Sequence, residues 1–171
     1  MKGDYWLYFN QVLDPKWCDY IVEYATDAYT PKDAVIGFDD AKQDNTYRKS
    51  EVRWLDARVE KAITEEIWHY ANQVNRDSFD LDLRYVNEIQ FTKYVGDPNT
   101  PGKYDWHHDV DWGEGRAFHR KLSLVFQLSD RSNYEGGEFE FDPTLPQLPP
   151  EALEKGSVIV FPSFHRHRVT P

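Results

Sequence analysis

Asn87-Glu88-Ile89-Gln90-Phe91-Thr92-Lys93-Tyr94-Val95 alternates polar and apolar side chains, and Gly96-Asp97-Pro98 then breaks the run. Period two over this length predicts a strand with one covered face. Upstream the spacing is different. Asp14-Pro15 offers an N-cap acceptor and then a residue whose missing N–H costs nothing at the first helical position. Trp17, Tyr20, Ile21, Tyr24, Ala25 and Ala28 follow at steps of three and four, which predicts an amphipathic helix. Cys18 flanks that stripe and reads as a small buried hydrophobe. A second helix is expected from Asp56 as cap to about Val74, with Val59, Ala62, Ile63, Ile67, Tyr70, Ala71 and Val74 on one side. Residues 30–50 hold many turn formers and no period, which predicts a long surface loop. Downstream, strand-like runs return at Leu122–Leu128, Gly137–Phe141 and Ser157–Phe161, with the proline-rich stretch 143–156 as a connecting loop. Helices first and short strands afterwards predict an α+β, mainly β domain: a helical support region over 1–77 and a β core over 78–171, in a single domain.

Composition narrows the classes of function. The chain has 171 residues and a formal charge of −10, which argues against a sequence-independent grip on nucleic acid. With 6 Trp, 11 Tyr and 10 Phe it can bury a real core. No run of about 18 apolar residues exists to cross a bilayer, and the N-terminus has no signal-peptide stretch. The one cysteine, Cys18, cannot form an internal disulfide. The expectation is a soluble, cytoplasmic protein with no membrane or nucleic-acid partner.

Chemistry concentrates in the second half, where five of the six histidines lie between His107 and His167. In Tyr104-Asp105-Trp106-His107-His108-Asp109-Val110-Asp111-Trp112, an extended chain would put His107 and Asp109 on one face. An imidazole and a carboxylate so placed can grip one metal ion. A lone H-x-D pair also arises as a surface ion pair, so the reading needs a third group. The buried-type run Ser157–Phe164 leads into His165-Arg166-His167-Arg168, and a histidine from this remote strand would complete two imidazoles and one carboxylate. That is the ligand choice of non-haem Fe(II) oxygenases. Structural zinc would normally take four ligands and thiolates, of which only Cys18 is available. Ordinary surface histidines remain the alternative on spacing alone.

From about Gln90 to Pro171, with a weaker helical echo near Leu13–Tyr24, the sequence resembles the Fe(II)- and 2-oxoglutarate-dependent dioxygenases of the prolyl 4-hydroxylase-like and PKHD-type group. The blocks that carry the resemblance occur in order: Phe91-Thr92-Lys93-Tyr94, Tyr104-x-x-His107-x-Asp109, Arg120–Leu128, Glu135-Gly136-Gly137-Glu138-Phe139, Gly156–Phe164 and His167-Arg168-Val169-Thr170-Pro171. The resemblance implies a double-stranded β-helix, the cupin-like jelly-roll, with the N-terminal helices packed on one sheet. It implies Fe(II) held by His107, Asp109 and His167, with His165 at a position the family varies. It places Tyr94, Ser123 and Tyr104 toward the cosubstrate 2-oxoglutarate, and names ascorbate as a further cofactor. The activity implied is hydroxylation of a C–H bond on a prolyl or other peptide side chain, so the expected partner is a peptide or protein. A non-catalytic cupin-like metal-binding module is the competing class. Residues 30–50 and Val110–Phe118 are candidate lids.

One departure stands out. The family places a Lys or Arg on a strand beyond the distal histidine, where it pairs with the far carboxylate of 2-oxoglutarate. That residue and strand are expected beyond Pro171, so the C-terminal strand of the jelly-roll is missing from the sequence. Arg116, Arg120, Lys121, Arg166 and Arg168 are the substitutes it offers, with Arg120 or Arg116 favoured. Arg166 and Arg168 would alternate away from the inward face if His167 points in.

Overall fold

The computed structural model describes residues 5–35, 43–110 and 119–171. Its elements are β1 (Leu7–Phe9), α1 (Pro15–Ala28), β2 (Lys32–Asp33), β3 (Arg48–Lys49), β4 (Glu51–Leu55), α2 (Lys61–Val74), β5 (Ile89–Lys93), β6 (Lys103–His107), β7 (Leu122–Phe126), β8 (Phe139–Phe141), β9 (Val158–Pro162) and β10 (His167–Val169). The strands pair antiparallel into three sheets, ordered β1-β9-β7, β3-β6-β10-β8 and β2-β4-β5. The expected lid segment 111–118, with Asp111 and Arg116, and the middle of the expected loop, 36–42, lie outside the described residues.

Helix α1 starts where the sequence places it, with the Asp14 carboxylate accepting from the Lys16 N–H at 2.7 Å and Pro15 in the first turn. Its buried line is Cys18, Ile21 and Ala25. Tyr20, expected in the stripe, is 49% exposed. Trp17, Tyr20 and Tyr24 instead stack along its flank at 5.2 and 5.6 Å. Asp56 does not cap α2. It closes a separate turn instead, accepting from the Arg58 N–H on its side chain and from Val59 and Glu60 on its carbonyl, each at 2.9 Å. The helix therefore starts one turn later, at Lys61, and Val59 is left exposed. Beyond Val74 a π turn over Asn75–Phe79 prolongs it and ends at left-handed Asp80. There the Asn75 amide donates to the Leu81 carbonyl at 2.8 Å and accepts the Leu81 N–H at 2.7 Å, which redirects the chain toward β5.

Strand β9 is buried on both faces and ties the layers together. Val158 and Val160 pack with Tyr70, Val74 and Phe79 on the helical side. Ile159 and Phe161 pack with Phe139 and Phe141 of β8 on the other. A continuous apolar run is what a doubly covered strand requires. Ile21, Ala25 and Ile63 of the helices cover Leu55, Ile89 and Phe91 of β4 and β5. The helices thus serve two sheets. The first 77 residues also supply strands: Leu7 pairs with Val160, and Arg48 with Tyr104. Elements of two or three residues are too short to show a period, so only their distant partners define them. The architecture is mainly β, antiparallel, with few helices.

Candidate metal centre

His107 ends β6, His167 begins β10, and the two are cross-strand partners. Their side chains therefore leave the sheet on one face, with ring centroids 4.2 Å apart. Asp109 arrives differently from the expected alternation. Strand β6 stops at His107, and the Asp109 N–H donates to the Ser163 carbonyl at 3.0 Å. This link, from the turn after β9, swings the carboxylate back so that Oδ1 lies 3.7 Å from His107 Nε2 and Oδ2 3.7 Å from His167 Nε2. One ligand atom from each of the three residues lies within 4.8 Å of the others.

The imidazoles are held in one tautomer. His107 Nδ1 lies 2.8 Å from the Asp105 carbonyl, and His167 Nδ1 lies 2.9 Å from the His165 carbonyl. A carbonyl only accepts, so each Nδ1 carries the proton and each Nε2 lone pair faces the centre. Burial holds both imidazoles below their ordinary value of 6.5, and at His107 the neighbouring His167 adds to it. Both are therefore neutral, the form that binds a metal. Ser123 Oγ donates to Asp109 Oδ2 at 2.6 Å and lies 2.9 Å from Ser163 Oγ. This fixes the carboxylate's rotation.

Aromatic rings grip the histidines from behind. The Tyr104 ring stacks on His107 with centroids 3.4 Å apart, and Phe139 stacks on His167 at 5.1 Å. The Arg48 guanidinium sits 4.2 Å from the Tyr104 ring centre and donates to Gln90 Oε1 at 2.8 Å and Ser50 Oγ at 3.3 Å. Arg48, Ser50 and Gln90 escape the sequence reading. Two of them lie in the turn-rich stretch 30–50, where no periodicity marks an inward residue. The centre opens into a cavity of about 1250 Å³ whose lining includes Tyr94, Tyr104, Ser123 and Arg48. Burial raises the phenols of Tyr94 and Tyr104 above the ordinary value of 10.0, so both stay protonated.

The remaining sequence candidates stay apart. His165 lies in the turn between β9 and β10, with its ring 6.0 Å from that of Tyr5. His108 Nδ1 is bonded to the Phe164 carbonyl at 2.7 Å. Arg166 and Arg168 pair with Asp142 and Glu140 beside Trp106.

The donor set of two imidazole nitrogens and one carboxylate oxygen, without thiolate, fits a divalent iron that keeps positions open for other ligands. Two histidines and one carboxylate are the ligand choice of non-haem Fe(II) oxygenase sites. Residues 89–171 match the sequence profile of the 2OG-Fe(II) oxygenase superfamily. A PKHD-type hydroxylase from Synechococcus sp. is 36% identical over 69 residues, a stretch covering 40% of this chain and 30% of that protein. The chain therefore matches less than a third of this relative's length. Among solved structures, a Pseudomonas putida prolyl-4-hydroxylase superposes with a TM-score of 0.72 at 19% identity, covering 99% of this chain and 86% of that one. A viral collagen prolyl hydroxylase from Paramecium Bursaria Chlorella virus-1, in a 2OG complex, gives 0.70 at 17% identity over 99% and 88%. A Trichoplax adhaerens prolyl hydroxylase in complex with a hypoxia inducible factor peptide fragment gives 0.69 at 13% identity over 99% and 78%. Residues 89–171 thus resemble the 2OG-Fe(II) oxygenases in sequence, and the chain shares its fold with the solved prolyl hydroxylases.

Proposed function

We propose that the protein is an Fe(II)- and 2-oxoglutarate-dependent hydroxylase acting on a C–H bond of a prolyl or other peptide side chain. The observation that carries this reading is the meeting of His107 Nε2, His167 Nε2 and the Asp109 carboxylate within 4.8 Å of one another on one wall of a large cavity. In this reading those three side chains hold the iron. Tyr94, Ser123 and Tyr104 form the cosubstrate's surroundings. The scaffold is a double-stranded β-helix in which residues 1–171 act as one oxygenase domain. Bound iron would supply oxygen activation, coupled to oxidative decarboxylation of 2-oxoglutarate to succinate and CO₂. The chain's own residues do the rest. The Asp105 and His165 carbonyls keep protons on the two Nδ1 atoms, Ser123 orients Asp109, and the rings of Tyr104 and Phe139 exclude water behind the ligands.

A cavity of about 1250 Å³ exceeds what a small cosubstrate fills, which supports a peptide as the second reactant. The peptide seen in the Trichoplax neighbour is consistent with that class. A reducing, cytoplasmic setting suits ferrous iron and the buried thiol of Cys18. The test is an anaerobic titration of the protein with Fe(II) and 2-oxoglutarate. A weak visible absorption band from metal-to-ligand charge transfer is the expected outcome. Metal binding with no band in the presence of 2-oxoglutarate would favour the non-catalytic module.

A further inference from the structure

We propose that Arg48 sets the redox poise of the metal centre from behind Tyr104: it is a positioning residue whose fixed positive charge favours ferrous over ferric iron on His107, Asp109 and His167. For the identity of the metal this rests on the hydroxylase reading above. The charges of the other cations near the ligands are cancelled or met by water. Arg120 pairs with Glu88 and donates to the Asp109 carbonyl. Lys121 is exposed and donates to the Asp82 carbonyl at 2.8 Å. Arg166 and Arg168 pair with Asp142 and Glu140 on the outer side of the sheet.

Arg48 differs from all of these. It is only 7% exposed, and its partners are neutral: Gln90 Oε1 at 2.8 Å, Ser50 Oγ at 3.3 Å and the Tyr104 ring. Among the described residues no carboxylate lies within ion-pair distance of it. Strand pairing sets its place, because Arg48 of β3 stands opposite Tyr104 of β6. The guanidinium lies 4.2 Å from the centre of the Tyr104 ring. His107 stacks on the same ring with centroids 3.4 Å apart and 13° between the planes. A stack this close fills one face of the phenol, so the cation takes the other. Tyr47 closes the edge, T-shaped at 5.9 Å. The result is a column of guanidinium, phenol and imidazole that ends on a metal ligand.

The column carries charge toward the ligands without neutralising it. A neutral aromatic ring supplies no counter-ion, and burial keeps water from screening the guanidinium as it screens a surface cation. Each positive charge added to a metal on these ligands is opposed by Arg48, so the ferric ion loses more than the ferrous one. One unit charge acting over roughly 10 Å at an effective dielectric of about 20 changes the ratio of ferric to ferrous affinity about 10-fold. The same repulsion weakens the binding of any dication, which gives the effect a sign that loss of packing would not share. Gln90 makes the arrangement possible, because its amide orients the guanidinium without cancelling it. A carboxylate at that position would remove the charge and keep the geometry.

The test is spectroelectrochemistry on the iron-loaded protein without 2-oxoglutarate, together with calorimetry of Mn(II) binding. Arg48→Gln should lower the Fe(III)/Fe(II) potential by about 59 mV, the one-electron equivalent of that tenfold change, and should raise Mn(II) affinity. Arg48→Lys keeps the charge and should stay near wild type in potential. Because a buried Arg48→Gln change can unfold the protein, Gln90→Glu provides the second arm. It seats a carboxylate beside an intact guanidinium, should preserve the melting temperature, and should lower the potential by a similar amount. An unchanged or higher potential in Gln90→Glu or in folded Arg48→Gln would overturn the assignment. So would weaker Mn(II) binding by folded Arg48→Gln, the mark of a residue that only supports His107. The predicted shifts in a protein that shows no absorption band with 2-oxoglutarate would support the Arg48 assignment and overturn the hydroxylase reading alone. Wild type that binds neither metal would overturn both.

Discussion

The two faces of the β3-β6-β10-β8 sheet carry opposite chemistry on neighbouring residues. On the inner face, His107 and His167 stand between Tyr104, Phe139 and Phe161. On the outer face, Trp106 is flanked by Arg168 at 4.6 Å and Arg166 at 5.3 Å, and Arg168 pairs with Glu140 at 2.7 Å. Alternation assigns His167 inward and Arg168 outward, and Phe139 and Phe141 inward with Glu140 between them. The environment then fixes the charge state. The outer groups meet water and each other, whereas burial keeps the inner imidazoles neutral. The lesson is that ionisable residues on the outer face serve the surface, and those on the inner face serve the site.

The largest effect expected from this contrast is at Asp109. Asp109→Ala should remove detectable divalent-metal binding by calorimetry while the circular dichroism spectrum stays native, because its side chain is 28% exposed and leaves no core cavity. Loss of the fold would instead make Asp109 a structural residue. Ser123→Ala comes next. It frees Asp109 Oδ2 from its orienting donor, and metal affinity should fall about 10-fold to 100-fold, as it does when groups behind a ligand are removed. An unchanged affinity would show that Ser163 and the backbone suffice to hold the carboxylate.

Acidification separates the faces without mutation. The folded state holds His107 and His167 below their unfolded value of 6.5, so in mildly acidic solution the unfolded chain binds more protons than the folded one. Stability must then rise with pH, and it is lost as pH falls below about 6.5. Metal-free protein should show a lower urea midpoint at pH 5 than at pH 7. Carboxylates with lowered values, such as Asp142 and Glu138, act only at lower pH and leave this window clear. Equal midpoints would break the claim that the inner imidazoles are kept neutral. The smallest effect belongs to the outer face. Arg168→Ala, in a pair whose side chains are 36% and 37% exposed, should cost less than about 1 kcal/mol in thermal melts. A larger loss would mean that the Trp106 stack is a structural clamp.

Sequence by itself determined the elements long enough to repeat a pattern: α1 from Asp14-Pro15, most of α2, and strands β5, β7 and β9, whose faces follow from period two or from an unbroken apolar run. It also put His107 and Asp109 forward as a pair, with a histidine of the 165–167 stretch as the third group, since only a few side-chain types bind metal and they crowd into one half of the chain; the choice of His167 came from the family resemblance. Tertiary structure alone decided the rest. Strands β1 and β3 exist because β9 and β6 offer them edges. Asp109 reaches the histidines because the Ser163 carbonyl catches its N–H after β6 has ended, and the turn at 163–165 carries His165 away while His167 re-enters a strand. Arg48 and Gln90 meet under Tyr104 across 42 residues of chain. Local periodicity records which side of an element is covered, but the position of a turn residue is set by hydrogen bonds to partners far along the chain, and no local pattern encodes those.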